Sequence, residues 1–112
     1  MRKEYLEPFP EVFYTLKANR KLSQAEVEKI RVGSRPEHMD DKWFIYFEDP
    51  WLCFHRVPTG RCIWKIHILR SSSDYLVDEI LVNGDTEQYN IKPNELEFSL
   101  EILDLFLASK IR

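Results

Sequence analysis

The run from Lys42 to Leu69, K-W-F-I-Y-F-E-D-P-W-L-C-F-H-R-V-P-T-G-R-C-I-W-K-I-H-I-L, most constrains what this chain can fold into. It holds all three tryptophans, both cysteines and two of the three histidines. Breaks at Asp49-Pro50 and at Pro58-Thr59-Gly60 divide it into three consecutive antiparallel strands. The first loop has two or four residues, and Pro50, with φ fixed at about −65°, favours the longer one through a type I turn. Either length pairs odd positions of the first strand with even positions of the second. A three-residue second loop, with Gly60 at positive φ, then pairs even with even.

Two faces follow from that parity. Face A carries Trp43, Ile45, Phe47, Leu52, Phe54, Arg56, Cys62, Trp64, Ile66 and Ile68. Face B carries Phe44, Tyr46, Glu48, Trp51, Cys53, His55, Ile63, Lys65 and His67. Face A is almost wholly apolar and is the expected core side; at about 25 cal/mol per Å² its burial is the largest single stabilising contribution. Cys53 and Cys62 fall on opposite faces, which predicts that they do not bridge.

The flanks supply cover for this sheet. Pro10 opens an expected short helix with Phe9, Val12, Phe13 and Leu16 on one side. Ser23 and Glu26 form a capping box for a second helix from Gln24 to about Val32, ended by Gly33 in the left-handed conformation. Tyr75 to Val82 reads as a fourth strand, closed by Asn83-Gly84-Asp85. Pro93 and Asn94 open a C-terminal helix, Asn94 as cap, with Leu96, Leu100, Leu103 and Leu107 recurring at helical spacing. The expected fold is one α+β domain over residues 1–112: an antiparallel meander sheet of about four strands, packed by the C-terminal helix, with short N-terminal helices.

Composition narrows the function classes. With 44% hydrophobic and 31% charged residues, the chain is too apolar for disorder. A net charge of −3, from 16 basic and 19 acidic residues, argues against nucleic acid as the main partner. No apolar run approaches the roughly 20 residues that span a bilayer, and M-R-K-E-Y-L-E-P has no apolar signal core, so a cytoplasmic protein is expected, with no membrane partner. In that compartment the two cysteines are expected to be free thiols.

Three stretches in order, Lys42–Glu48, His55–Gly60 and Val82–Tyr89, resemble an uncharacterised family of small bacterial proteins. Its members share K-W-F-I-Y-[FY]-E, H-R-S-W-T-G and V-N-R-D-x-E-Q-Y. The resemblance runs from about Glu11 to Tyr89 and implies a shared fold without an assigned activity. The chain departs from the pattern at Val57-Pro58, in place of Ser-Trp, and at Gly84, in place of Arg. If those positions serve a site in the family, the resemblance implies that it is altered here.

Four candidate chemistries remain. His55, Arg56 and Thr59 beside Asn83, Asp85 and Gln88 would suit a phosphate or carboxylate clamp; the competing reading is an Arg–Asp pair pinning two loops, the more frequent use of such a pair. Metal is not expected: a register opposing His55 to Ile63 separates His55 from His67 by roughly 13 Å, too far for one zinc. Cys53 and His55 alternate on one strand about 7 Å apart, too far for direct activation. No phosphate-binding, nucleophile-elbow or dinucleotide fingerprint appears, so neither a cofactor nor a catalytic residue is assigned. Finally, Phe44, Tyr46 and Trp51 with Lys65 and His67 on face B would suit a protein partner or a homodimer, unless N-terminal helices cover them as a third layer. The primary expectation is a non-enzymatic interaction domain. The alternative is binding or hydrolysis of a phosphorylated or nucleotide-like small molecule at the His55-Arg56/Asp85-Gln88 corner.

Overall fold

The computed structural model describes residues 3–38, 40–57 and 59–111; the Pro58 part of the second expected loop lies outside them. The elements are a 3-10 turn at Lys3–Tyr5, β1 (Phe13–Leu22), α1 (Gln24–Val32), β2 (Trp43–Glu48), β3 (Trp51–Arg56), β4 (Cys62–Ser71), β5 (Asp74–Asn83), a 3-10 helix (Pro93–Glu101) and α2 (Ile102–Leu107). The strands make one antiparallel sheet in the order β1-β5-β4-β3-β2. The α+β class and the helical packing are as expected, with a fifth strand added at the edge.

That fifth strand replaces the first expected helix. From Leu16 to Leu22, alternate residues Leu16, Ala18, Arg20 and Leu22 are half-buried while Thr15, Lys17, Asn19 and Lys21 are exposed. An edge strand needs only one such inward row. A small Ala18 and a polar Arg20 dilute the row, and Phe9, Val12, Phe13 and Leu16 imitate a helical stripe in its place. β1 lies at one edge of the sheet and β2 at the other, so α1 crosses face A and buries Val27 and Ile30.

The capping box at the start of α1 is formed: Glu26 N–H donates to Ser23 Oγ at 3.1 Å, and Ser23 N–H donates to Glu26 Oε1 at 2.9 Å. Gly33 ends the helix at φ 68° and ψ −157°, which is positive φ but not the left-handed helical region. A Cβ there would collide with the Ile45 carbonyl oxygen, to which Ser34 N–H donates at 2.8 Å. The helix is thereby tied to β2.

The first loop is the shorter alternative. Glu48 pairs with Trp51, leaving Asp49 and Pro50 alone, joined by a cis peptide bond. A cis proline takes the third position of a type VI turn, where a type I turn would hold it second. Parity is unaffected, and Ile45–Phe54, Phe47–Leu52, Phe54–Trp64 and Leu52–Ile66 all pair as expected.

The C-terminal helix is also modified. Its first nine residues are 3-10, with Lys92 at the N-cap position, no side-chain cap, and Asn94 inside the helix. Three residues per turn bring Leu96, Ser99 and Ile102 into line. The inward set is therefore Leu96, Ser99, Ile102, Leu103 and Phe106, while Leu100 is 42% exposed. This helix covers face A, packing with Ile30 of α1 on Ile45, Leu52, Phe54, Trp64 and Ile66. Trp64 Nε1–H donates to buried Ser99 Oγ at 2.9 Å, so the one polar group of the indole is satisfied. Among the described residues, no helix is long and apolar enough to cross a membrane.

Candidate functional site

On face B the chain departs from the expected register at one point, and that point creates the site. Cys53 pairs with Lys65 and Phe54 with Trp64, but the next rung joins His55 to Cys62. Ile63 is the extra residue of a β-bulge, which breaks the period-two alternation of β4. Its side chain enters the core cluster on face A, with 1% exposure. Cys62 passes to face B. Two assignments are corrected by this: Ile63 belongs to the core, and Cys53 and Cys62 share a face. Both are free thiols.

Among the described residues, no N-terminal α-helix covers face B. An extended segment running from the 3-10 turn toward β1 lies over part of it, and three contacts hold it there. Glu7 N–H donates to the Gly60 carbonyl at 2.8 Å, Gly84 N–H donates to the Val12 carbonyl at 2.9 Å, and Glu7 lies 3.7 Å from Arg61. Gly60 has φ 79°, and a Cβ on it would sit 2.5 Å from the Tyr5 carbonyl oxygen. Only glycine permits this approach.

Between this strap and the β2–β3 hairpin lies an open cleft of about 390 Å³. Phe9, Tyr46 and Trp51 wall it, Lys65, Glu7 and Glu48 stand around it, and Cys53, His55 and Cys62 also line it. These last three are nearly buried, at 5%, 3% and 1% exposure, and form its floor. The Lys65 ammonium lies 4.7 Å from the Trp51 ring centre and 5.7 Å from that of Phe9.

His55 is fixed from two sides. Its Nδ1 lies 2.8 Å from the Gly60 carbonyl oxygen, and its ring stacks on Tyr46 at 5.4 Å and 20°. A carbonyl only accepts, so Nδ1 carries the proton and Nε2 is left without one.

The thiols share their electrostatics. Hydrogen bonding with Cys62 first, then His55 and the charge of Lys65, outweigh burial and draw the Cys53 thiol below its ordinary value, while that thiol also points to the Trp51 carbonyl oxygen at 3.9 Å. The bond to Cys53 and then burial push the Cys62 thiol up. The Cys62 proton has a second acceptor in the Trp64 carbonyl oxygen at 3.5 Å. Burial, and next the charge of Cys53, raise the Tyr46 hydroxyl.

The polar corner is arranged differently from expectation. Asn83 is fully buried; its amide nitrogen donates to the Cys62 carbonyl at 2.8 Å and to Gln88 Oε1 at 2.9 Å, and its oxygen accepts from Asp85 N–H at 2.8 Å. Asp85 Oδ1 accepts from Glu87 N–H at 3.0 Å. Thr59 Oγ1 accepts from Arg61 N–H at 3.3 Å. Asn83, Asp85 and Gln88 are thus brought together. His55 and Arg56 are not: His55 faces the cleft, while the Arg56 guanidinium lies 5.8 Å from the Trp43 ring of face A. Arg61 hydrogen-bonds this segment at the Glu87 carbonyl oxygen, 3.2 Å away, while Arg56 acts on it only through its charge at Tyr89.

The face-B aromatics divide as well. Phe44 is 1% exposed, with the Arg35 guanidinium 5.6 Å from its ring centre. Tyr46, Trp51 and Lys65 line the cleft. His67 Nδ1 lies 2.6 Å from Asp78 Oδ1, and its ring meets Trp51 edge-on at 4.8 Å. Cys62 and the Glu7–Phe9 strap are the site residues that sequence patterning misses, since no local signal marks the bulge. Among the described residues, no three His, Cys, Asp or Glu side chains group as a metal site. No family model, curated protein or solved structure significantly matches the chain.

Proposed function

We propose that this chain is a binding protein for a small, flat, heteroaromatic molecule held in the face-B cleft. The observation that carries this reading is the cleft itself, about 390 Å³ with Phe9, Tyr46 and Trp51 as walls. That volume lies in the range of small-ligand sites, where apolar walls supply contact and a few polar groups fix orientation. Lys65 and Glu48 offer one donor group and one acceptor group to a ligand with nitrogen or oxygen atoms in its ring. The test is a heteroaromatic fragment screen read by tryptophan fluorescence and by amide shifts. Binders should perturb Trp51, Tyr46 and Lys65, and Trp51→Ala should weaken them at least tenfold, the scale of about 1.4 kcal/mol. Binders that map elsewhere, or bind Trp51→Ala equally well, would sink the reading.

A second reading, a self-associating interaction domain, is supported by a different surface. Val12, Phe13 and Tyr14 are 64%, 45% and 37% exposed where the strap enters β1, an edge strand. An exposed apolar edge strand is a template for antiparallel pairing with a second copy. Sedimentation across a hundredfold concentration range tests it: Phe13→Lys should abolish any dimer, and a monomer at every concentration refutes it.

A further inference from the structure

We infer that Cys53 and Cys62 form a reactive dithiol that exchanges with small-molecule disulfides in the face-B cleft, Cys53 attacking and Cys62 resolving. The inference deepens the proposed small-molecule site and rests on that cleft being open to ligands.

Three features of the geometry support it. The bulge at Ile63 places both thiols on one face, where both line the floor of one cleft. His55 lines the same cleft, opposite Cys62 and two residues along β3 from Cys53, and the Gly60 carbonyl holds the imidazole in a single tautomer. Nucleophile, base and orienting group are therefore all in place. Lys65 adds positive charge beside the sulfur. The thiolate is the nucleophile in such exchange, and a cationic, partly accessible setting is what makes a cysteine reactive.

The steps balance as follows. The Cys53 thiolate attacks one sulfur of a disulfide RSSR, the S–S bond breaks, and RS⁻ leaves with the electron pair and takes up the proton that Cys53 gave to His55. This yields a Cys53–S–S–R mixed disulfide and one RSH. Cys62 then loses its proton to His55 and attacks Cys53 Sγ, expelling the second RS⁻, which is protonated in turn. The sum is RSSR plus two protein thiols giving two RSH plus a Cys53–Cys62 disulfide. The small disulfide is the oxidant, and no other co-reactant enters. An aromatic R group would seat against Trp51 and Tyr46.

The probe is 4,4′-dithiodipyridine, a heteroaromatic disulfide, used on the full chain at pH 6 with released thiopyridone read by absorbance and the product by intact mass. Wild type should release two equivalents and lose two hydrogens. Cys62→Ser should release one equivalent and retain one pyridylthio adduct. Cys53→Ser and Cys53→Ala should release none while folded, with Cys62 titrating only in urea. The first release from wild type should exceed that of free cysteine by about tenfold, because the gain in thiolate fraction outweighs the lower nucleophilicity of an acidic thiol. Release from folded Cys53→Ser at the wild-type rate, or two equivalents from Cys62→Ser, would overturn the assignment. Binding of non-disulfide fragments to wild type separates the two claims: binding without thiol exchange rejects only the dithiol, whereas exchange without fragment binding rejects only the heteroaromatic ligand.

Discussion

Cys62 faces His55 across β3 and β4, in the place where a straight ladder from Phe54–Trp64 would set Ile63. A single inserted residue thus exchanges an isoleucine for a thiol on one face and the reverse on the other. Ile63→Ala should cost about 2–4 kcal/mol in a denaturant titration, since it empties a core position at 1% exposure. A loss under about 0.5 kcal/mol, the usual effect at a surface site, would contradict the bulge.

Gly60 joins the strap, the loop and His55 through one carbonyl, which accepts from Glu7 N–H and from His55 Nδ1. Gly60→Ala meets both a positive φ of 79° and the Tyr5 carbonyl oxygen. Destabilisation of about 2 kcal/mol is expected. Proteolysis should then cut within the first twelve residues before the sheet opens. Protection of that segment equal to wild type would show that the strap is held by other contacts.

Ser99→Ala removes the acceptor of the Trp64 indole N–H at a fully buried position. An unsatisfied buried donor costs about 1–3 kcal/mol. Trp64→Phe should recover part of that loss when combined with it, since Phe brings no N–H. A double mutant as unstable as the sum of the singles would reject this pairing.

Arg20 binds Glu26 at 2.7 Å and Asp104 at 3.0 Å, linking β1, α1 and α2. The Arg20 hydrogen bond, with the Ser23 backbone next, lowers the Glu26 carboxyl from 4.5 to about 2. A depressed acid stabilises the fold above its unfolded value and loses that effect as pH falls through its folded value. The contribution should be complete above about pH 4.5 and disappear toward about pH 2. Glu26→Gln should therefore flatten the stability profile in that window. An unchanged slope would remove Glu26 as its source.

The central strands are legible because Trp43, Ile45 and Phe54 obey a period of two that survives either length of the first loop, while Trp64 and Ile66 keep their face because the Ile63 bulge offsets one extra residue in the second loop. Parity carries no information about a bulge, and one miscounted residue inverts every position beyond it. Beyond the bulge Trp64 lies on its expected face; Ile63 and Cys62 exchange theirs. β1 was hidden because Ala18 and Arg20 break its apolar row, and the 3-10 helix because Leu96, Leu100, Leu103 and Leu107 match an α period that the backbone does not adopt. The thiol site combines the bulge with a strap seated by Gly60. Neither leaves a local pattern in the chain.

Asn83 sits in the corner, yet the carbonyl it grips belongs to Cys62. Gln88 is the far end of the same grip, and Asp85 steadies it through its own N–H. The loop after β5 is thus a bracket bolted to the backbone of the resolving sulfur. Loosening it at Gln88 would let that sulfur drift without touching any atom of the cleft, so two distant patches of sequence form a single mechanical part.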